Sequence, residues 1–372
     1  MGAVESVPIS AHQGNRDDYR LTERARDTSS FQSRLLVSSL QAQCDEMARL
    51  AATTSRMLAR LSAADPVDEI VTDAARNLIP RWHFAMLNDH ERNDALAVAL
   101  ERQMKPGSRV LDIGSGTGLL AMMAIRAGAS HVTSCETNPV IAEIAREIVA
   151  DHGMADVITI VPKRSTDLVI GRDLAAPVDL LVSEIVDCGL IGEGILPTIS
   201  HAREQLLAPG GQMLPRSARL LGCLVDSPVV ASLNQTGTAA GFDVRQLNTV
   251  ATRGHFPVRL NTWPYRIVSD VVELASFDLA NGPLDDGSST VRLTTTEQGT
   301  AHALVAWFEL DLGAGVIIRN SPDNVRSHWM QALVPIGGWL AVSVGDRVPL
   351  TLTWRGTRLG ATVHQPLTPS ED

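Results

Sequence analysis

The chain has 372 residues, an apolar content of 44% and a formal net charge of −10 from 32 basic and 42 acidic residues. That length exceeds one average domain and buries a large core, so two domains with an appendage are expected. The acidic balance argues against a nucleic-acid partner, which would call for a basic face, and no apolar run is long enough to span a bilayer.

Only Lys105 and Lys163 are lysines, leaving 30 arginines, the usage of a GC-rich, bacterial-type genome. Cys44, Cys135, Cys188 and Cys223 are scattered, with no CxxC pair. They suggest neither a metal site nor a disulfide framework, and a cytoplasmic location is the simpler reading. The opening "MGAVESVPISAHQGNRDDYR" carries no apolar core of a signal peptide.

Residues 1–29 are polar and without periodicity, which predicts a disordered tail. From Phe31 to Leu61, apolar residues such as Leu36, Leu40, Met47 and Leu50 recur at helical spacing, predicting a helical region over 30–78. "RWHFAMLNDHERNDALAVALE" again reads as helix. Strands and helices then alternate. "SRVLDIG", "HVTSCE", "ITIVP" and "VDLLVSE" read as buried strands, "LLAMMAIRAG" and "PVIAEIAREIVADHG" as helices, and "PTISHAREQLLAPGG" as a helix followed by a turn. Such alternation predicts βαβ units and a mostly parallel sheet over 79–214. Beyond about residue 215, short runs such as "RLLGCLV", "HALVAWFELDL" and "VPLTLTWRG" predict an antiparallel β domain to residue 372.

Directly after the first of these strands comes Asp112-Ile113-Gly114-Ser115-Gly116-Thr117-Gly118. Glycines are needed where the backbone turns sharply and a ligand approaches the main chain. Glu136 closes the next strand, suited to hydrogen-bonding ribose hydroxyls. A dinucleotide site would use G-x-G-x-x-G, whereas this loop reads G-x-G-x-G with an acid two positions upstream. A second feature is "SEIVDCGLIGEG", in which Glu184 and Glu193 bound an apolar run nine residues apart. Alone, these acids would be a strand end and a solvated loop residue.

The glycine loop resembles motif I of class I S-adenosylmethionine-dependent methyltransferases. "HFAMLNDHERN", "VLDIGSGTGLL", "VDLLVSEIVDCGLIGEGILP", "LLAPGGQMLP" and "SHWMQALVP" stand in the order found in protein arginine methyltransferases. This likeness runs from about residue 80 to near the C-terminus, and "KRSTD" with the spacing of the acidic loop resembles the monomethylating, type III branch. The resemblance implies a Rossmann-like cofactor domain followed by a β-barrel substrate domain. It also implies a dimerisation-arm-like insertion at about 230–262 and a homodimer.

It further implies a methyl donor, S-adenosyl-L-methionine, leaving as S-adenosyl-L-homocysteine, bound by Asp112, Gly114, Gly116, Gly118 and Glu136. Ser165 and Thr166 would lie at the adenine edge, with Arg92 pairing the methionine carboxylate. Glu184 and Glu193 would clamp the acceptor guanidinium, while Asp89 pairs with His328 and so brings Trp329 to the pocket wall. Met86 and His83 would line the substrate pocket, and Asp187, where dimethylating branches carry a bulky apolar residue, would restrict the product to one methyl. No metal enters this set.

The chemistry suits such a device. Arginine is protonated at any working pH, so a catalyst must hold the planar fork, align one nitrogen and accept its proton. Two convergent carboxylates can do this bidentately. The family's usual aromatic N-terminal motif is absent, its place taken by "EIVTDAARNLIP". A free L-arginine or small guanidine, rather than peptide-bound arginine, is the preferred acceptor. A cofactor-binding regulatory subunit and a phenol or nucleobase acceptor are the competing readings, both disfavoured by the paired acids.

Overall fold

The computed structural model describes residues 15–62, 75–76 and 78–366. Two units divide at Asn77/Leu78 and are described separately. The first contains helix α1, Asn15–Ser62, about 72 Å long at 1.5 Å per residue. It begins well inside the stretch expected to be disordered. "NRDDYRLTERAR" is rich in good helix formers with acids and arginines three to four apart, and local propensity prevails there over the missing apolar periodicity. The first half of the expected tail, and much of "EIVTDAARNLIP", lie outside the described residues.

In the second unit the expected single helix over residues 81–101 is two: α2, Trp82–Leu87, and α3, His90–Gln103. The break is chemical. Asp89 leaves helical geometry and its carboxylate accepts from the Arg92 N–H at 3.0 Å, capping α3. Strands β1 (Arg109–Ile113), β2 (His131–Cys135), β3 (Ile158–Val161), β4 (Val178–Ser183) and β5 (Leu207–Leu214) follow. Helices α4 (Leu119–Arg126), α5 (Pro139–Asp151) and α6 (Ile195–Gln205) alternate with them. Pro139 fits the first turn of α5, where its missing N–H costs nothing, and Asn138 caps it.

These five strands form one parallel sheet in the order β3-β2-β1-β4-β5. Chain order reverses between β1 and β4, and a crevice opens there at the carboxyl ends of the strands. The turn expected at "APGG" is instead part of β5. Gly210 at φ 74° and a register shift against β4 absorb the glycines as a bulge.

From residue 217 the chain is antiparallel. β6 (Ser217–Asp226), β9 (Gly299–Gly313) and β10 (Gln331–Val342) form the centre of a seven-stranded sheet. β8 (Gly287–Thr294), β11 (Arg347–Arg355) and β12 (Arg358–Val363) make a second one. β9 is buried along almost its whole length, with Phe308 fully enclosed. Between β6 and β7 (Phe256–Val258) runs a segment with the short helix α7 (Pro228–Ala231) and a two-residue-stranded hairpin; it leaves Phe242, Leu247 and Val250 exposed. Among the described residues no helix is long and apolar enough to cross a membrane.

Candidate active site

A cavity of about 900 Å³ opens at the β1/β4 switch point. Its floor is the loop after β1. Gly114, Gly116 and Gly118 adopt φ of 89°, 51° and 79°, left-handed values that disfavour side chains. A Cβ at Gly114 would stand 2.6 Å from Ile185 Cγ2, so the loop can lie this close to the Ile185 side chain only because that carbon is missing. Beside the loop, Glu136 accepts from Gly116 N at 3.1 Å and Asn138 N at 2.8 Å. Asp112 lies beneath it, fully buried; one oxygen accepts from Ser134 Oγ at 2.7 Å and the other has no partner among the described residues. Burial pushes its carboxyl up to about 7, Ser134 opposing and Glu136 reinforcing. A glycine cradle with the Glu136 carboxylate on the cavity wall beside it fits a cofactor that carries hydroxyl groups. Ser165 and Thr166, in a single turn after β3, line the same cavity.

The acidic loop after β4 supplies the other wall. Glu184 and Glu193 both line the cavity. Their settings differ. Arg92 Nε donates to Glu184 Oε1 at 2.7 Å, with both side chains no more than 6% exposed. Arg92 Nη1 donates to Asn93 Oδ1 at 2.8 Å, and Nη2 has no acceptor among the described residues. The arginine expected beside the cofactor thus also holds one of the two acids. Burial alone would lower the Arg92 pKa; Glu184 outweighs it and the guanidinium is held more firmly charged. Glu193 has no ion-pair or hydrogen-bond partner among the described residues. Glu193 is exposed to solvent on the cavity wall. Partial desolvation, with Glu184, Asp187 and Glu136 nearby, pushes its carboxyl up to about 7.

The β domain closes the site through several hydrogen bonds. His328 Nδ1 donates to Asp89 Oδ2 at 2.9 Å, and the His328 backbone N–H to the same oxygen at 2.8 Å. Burial would raise the Asp89 pKa, but these bonds and that from Arg92 N bring it down to about 2. Trp329 follows, buried, its Nε1–H donating to Val186 O at 3.0 Å and its ring edge-on to Phe308. Met86, His83 and Asp187 also line the cavity. His83 Nδ1 bonds Pro80 O at 2.9 Å, and its ring stacks on Trp82.

Of the residues singled out in the sequence, Asp89, Asp112 and Gly118 stand behind the cavity wall rather than on it. Three neighbours escaped sequence reading. Ser134 tethers Asp112 and contacts Ser115, Asn138 ties Glu136 to the start of α5, and His255 bonds Asp187. "TNP" before an apolar helical run was a legible cap signal for Asn138; nothing near His255 marked it.

Comparison with known proteins points one way for the family. The arginine methyltransferase oligomerization subdomain matches residues 230–358, and the ribosomal protein L11 methyltransferase (PrmA) family matches residues 89–200. The arginine N(omega)-methyltransferase of Streptomyces achromogenes subsp. streptozoticus is 55% identical over 86% of this chain and 89% of its own. Protein arginine N-methyltransferase 1.6 of Arabidopsis thaliana is 31% identical over 72% of this chain, which spans only 41% of that protein's length. Among solved structures, the Trypanosoma brucei PRMT1 enzyme–prozyme heterotetrameric complex with AdoHcy superposes with a TM-score of 0.67 at 27% identity. That match covers 78% of this chain and 94% of the other. Likeness of this identity and extent places the chain in the arginine N-methyltransferase family, enzymes whose methyl donor is S-adenosyl-L-methionine.

Proposed function

We propose that the chain transfers one methyl group to a terminal guanidino nitrogen of free L-arginine or a small guanidine. The observation that carries this reading is the pair of loop carboxylates, Glu184 and Glu193, on one wall of a cavity floored by the glycine loop. S-adenosylmethionine supplies an electrophilic methyl group on a sulfonium. Gly114 and Gly116 would receive it along the main chain, with Gly118 shaping the turn behind them, Glu136 would hold its ribose, and Arg92 Nη2 would meet its carboxylate.

The protein's own residues then handle charge. The acceptor arrives as a cation and would become a dication if a nitrogen gained a methyl group without losing a proton. Glu184 is engaged by Arg92, so it orients the guanidinium fork. Glu193, partnerless and raised to about 7, takes the departing proton from the reacting nitrogen. Asp89 and His328 pin the β domain against this wall, with Trp329 and Met86 shaping the pocket. Intact acids on both sides favour an enzyme over a cofactor-binding regulatory subunit.

Support for a free acceptor comes from the names of the relatives. The 55% identical protein, matched over most of its length, is called an arginine rather than a protein arginine methyltransferase. Monomethylation rests on the acidic Asp187 in the pocket wall. Residues 79–214 then form the cofactor domain and 215–372 the substrate domain of a cytoplasmic homodimer. Exposed Phe242, Leu247 and Val250 within about 230–262 would supply the apolar contact. The test compares kcat/KM for L-arginine, argininamide and an arginine–glycine peptide. Free arginine should lead, and amidation of its carboxylate should cost activity; a peptide that outperforms both would reverse the assignment.

A further inference from the structure

We propose that His255 is a positioning residue of the acceptor site, acting through Asp187 on the loop that carries Glu193. This rests on the reading of Glu184 and Glu193 as the guanidinium clamp. The Asp187 carboxylate has about four acceptor positions, and the protein fills four. Oδ1 accepts from Gly192 N at 2.7 Å and Gly189 N at 3.1 Å. Oδ2 accepts from His255 Nε2 at 2.5 Å and, more weakly, from the Cys188 thiol at 3.8 Å. Nothing remains for a guanidinium, so Asp187 is the internal strut of its loop rather than a third jaw.

The donor side is fixed as firmly. Leu359 N donates to His255 Nδ1 at 3.3 Å, so the ring proton sits on Nε2, pointing at Asp187. The loop's glycines fit this strut. A Cβ on Gly192 would fall 2.2 Å from Asp187 Oδ2, and one on Gly189 would fall 2.6 Å from His255 Cδ2. Gly192 immediately precedes Glu193, so whatever holds the Gly192 N–H sets where the Glu193 carboxylate enters the cavity. His255 belongs to the stretch matched by the oligomerization subdomain, and through this chain of contacts that subdomain braces the catalytic loop. Asp187, Cys188 and His255 also bring three metal-ligating atoms within 4.8 Å. With the Nε2 proton already donated to Asp187 and burial pushing the Cys188 thiol well up, they are a hydrogen-bonded set.

The experiment measures arginine kinetics, cofactor affinity by calorimetry and thermal melting for His255→Leu, His255→Gln and Asp187→Asn in the full chain. His255→Leu should lower kcat/KM for arginine roughly tenfold to a hundredfold with cofactor affinity unchanged. His255→Gln, whose amide N–H can still reach Asp187, should recover much of that loss. Should His255→Leu not fold, Asp187→Asn, which sets an N–H against either His255 or the glycine N–H groups of the loop, must show the same selective loss. Unaltered arginine kinetics in His255→Leu or Asp187→Asn overturns the proposal. So does a Gln variant as impaired as Leu, or activity that a chelator removes and zinc restores. A wild-type protein inert toward arginine would instead defeat the functional reading.

Discussion

Glu184 and Glu193 have the same charge and face the same cavity, yet glutamine at each should affect the fold in opposite ways. Glu184 is the sole carboxylate partner of Arg92 Nε, at 2.7 Å, with side-chain exposures of 6% and 4%. Glu184→Gln keeps an acceptor oxygen but leaves a buried guanidinium without its counter-charge. Removing one partner of a buried pair costs about 3–5 kcal/mol, and the retained hydrogen bond puts this case near 3. For a domain of this size that lowers Tm by roughly 6–12 °C. Glu193→Gln breaks no bond. Its carboxyl is raised in the folded state from an ordinary 4.5 to about 7, so ionising it weakens the fold as pH climbs through that interval. The variant should therefore match wild type at pH 5 and gain relative stability by pH 8. Both variants should lose turnover while Glu193→Gln still binds cofactor. Thermal melts at the two pH values, paired with calorimetry, decide the matter. Equal Tm losses in the two variants, or none in Glu184→Gln, would refute the division of labour.

Other consequences are as direct. Because Glu193 must be ionised to receive the guanidinium, kcat/KM for arginine should fall with a slope of one proton below about pH 7. A profile flat to pH 5 would remove Glu193 from that role. Gly114→Ala places a Cβ 2.6 Å from Ile185 Cγ2 at a φ of 89°, so cofactor affinity should drop roughly tenfold or more; calorimetry showing wild-type affinity would contradict the cradle. Asp89→Asn keeps a cap for α3 but loses the charge that accepts from His328. It should lower kcat with little change in cofactor affinity, and an equal fall in both would point to collapse of the whole wall. Phe242→Asp, at an exposed apolar tip, should yield monomers by light scattering, whereas an unchanged dimer would move the interface elsewhere.

Much of this site was legible because its parts are local. The glycine loop, Glu136 and Glu184 stand at strand ends, where chain order and the alternating pattern already fix them on one edge of the sheet, and Glu193 follows on the same loop as Glu184. The break between α2 and α3 was also written locally, in the capping power of Asp89, but the continuous apolar periodicity masked it. Strand β12 went unread because "RLGATV" is short and interrupted by glycine; its pairing with β11 gives it its form. His255 and Ser134 were invisible for a different reason. Each is defined by one partner, 68 and 22 residues distant in sequence, and no local pattern records such a meeting.

The Arg92–Glu184 pair carries the same lesson about charge. The family resemblance implied the cofactor for one residue and the acceptor for the other, but the fold joins them. A change at either end of the cavity should therefore be felt at the other.

The carboxylate clamp has its proposed role only if a guanidino nitrogen receives the methyl group. Incubating the wild-type protein with L-arginine and methyl-labelled S-adenosylmethionine, then fragmenting the product by mass spectrometry, tests that without any variant. A single labelled methyl on a terminal guanidino nitrogen, with monomethylarginine refused as a substrate, is the predicted result. Label on the α-amine, two methyl groups on one arginine, or label found only in peptide would contradict it.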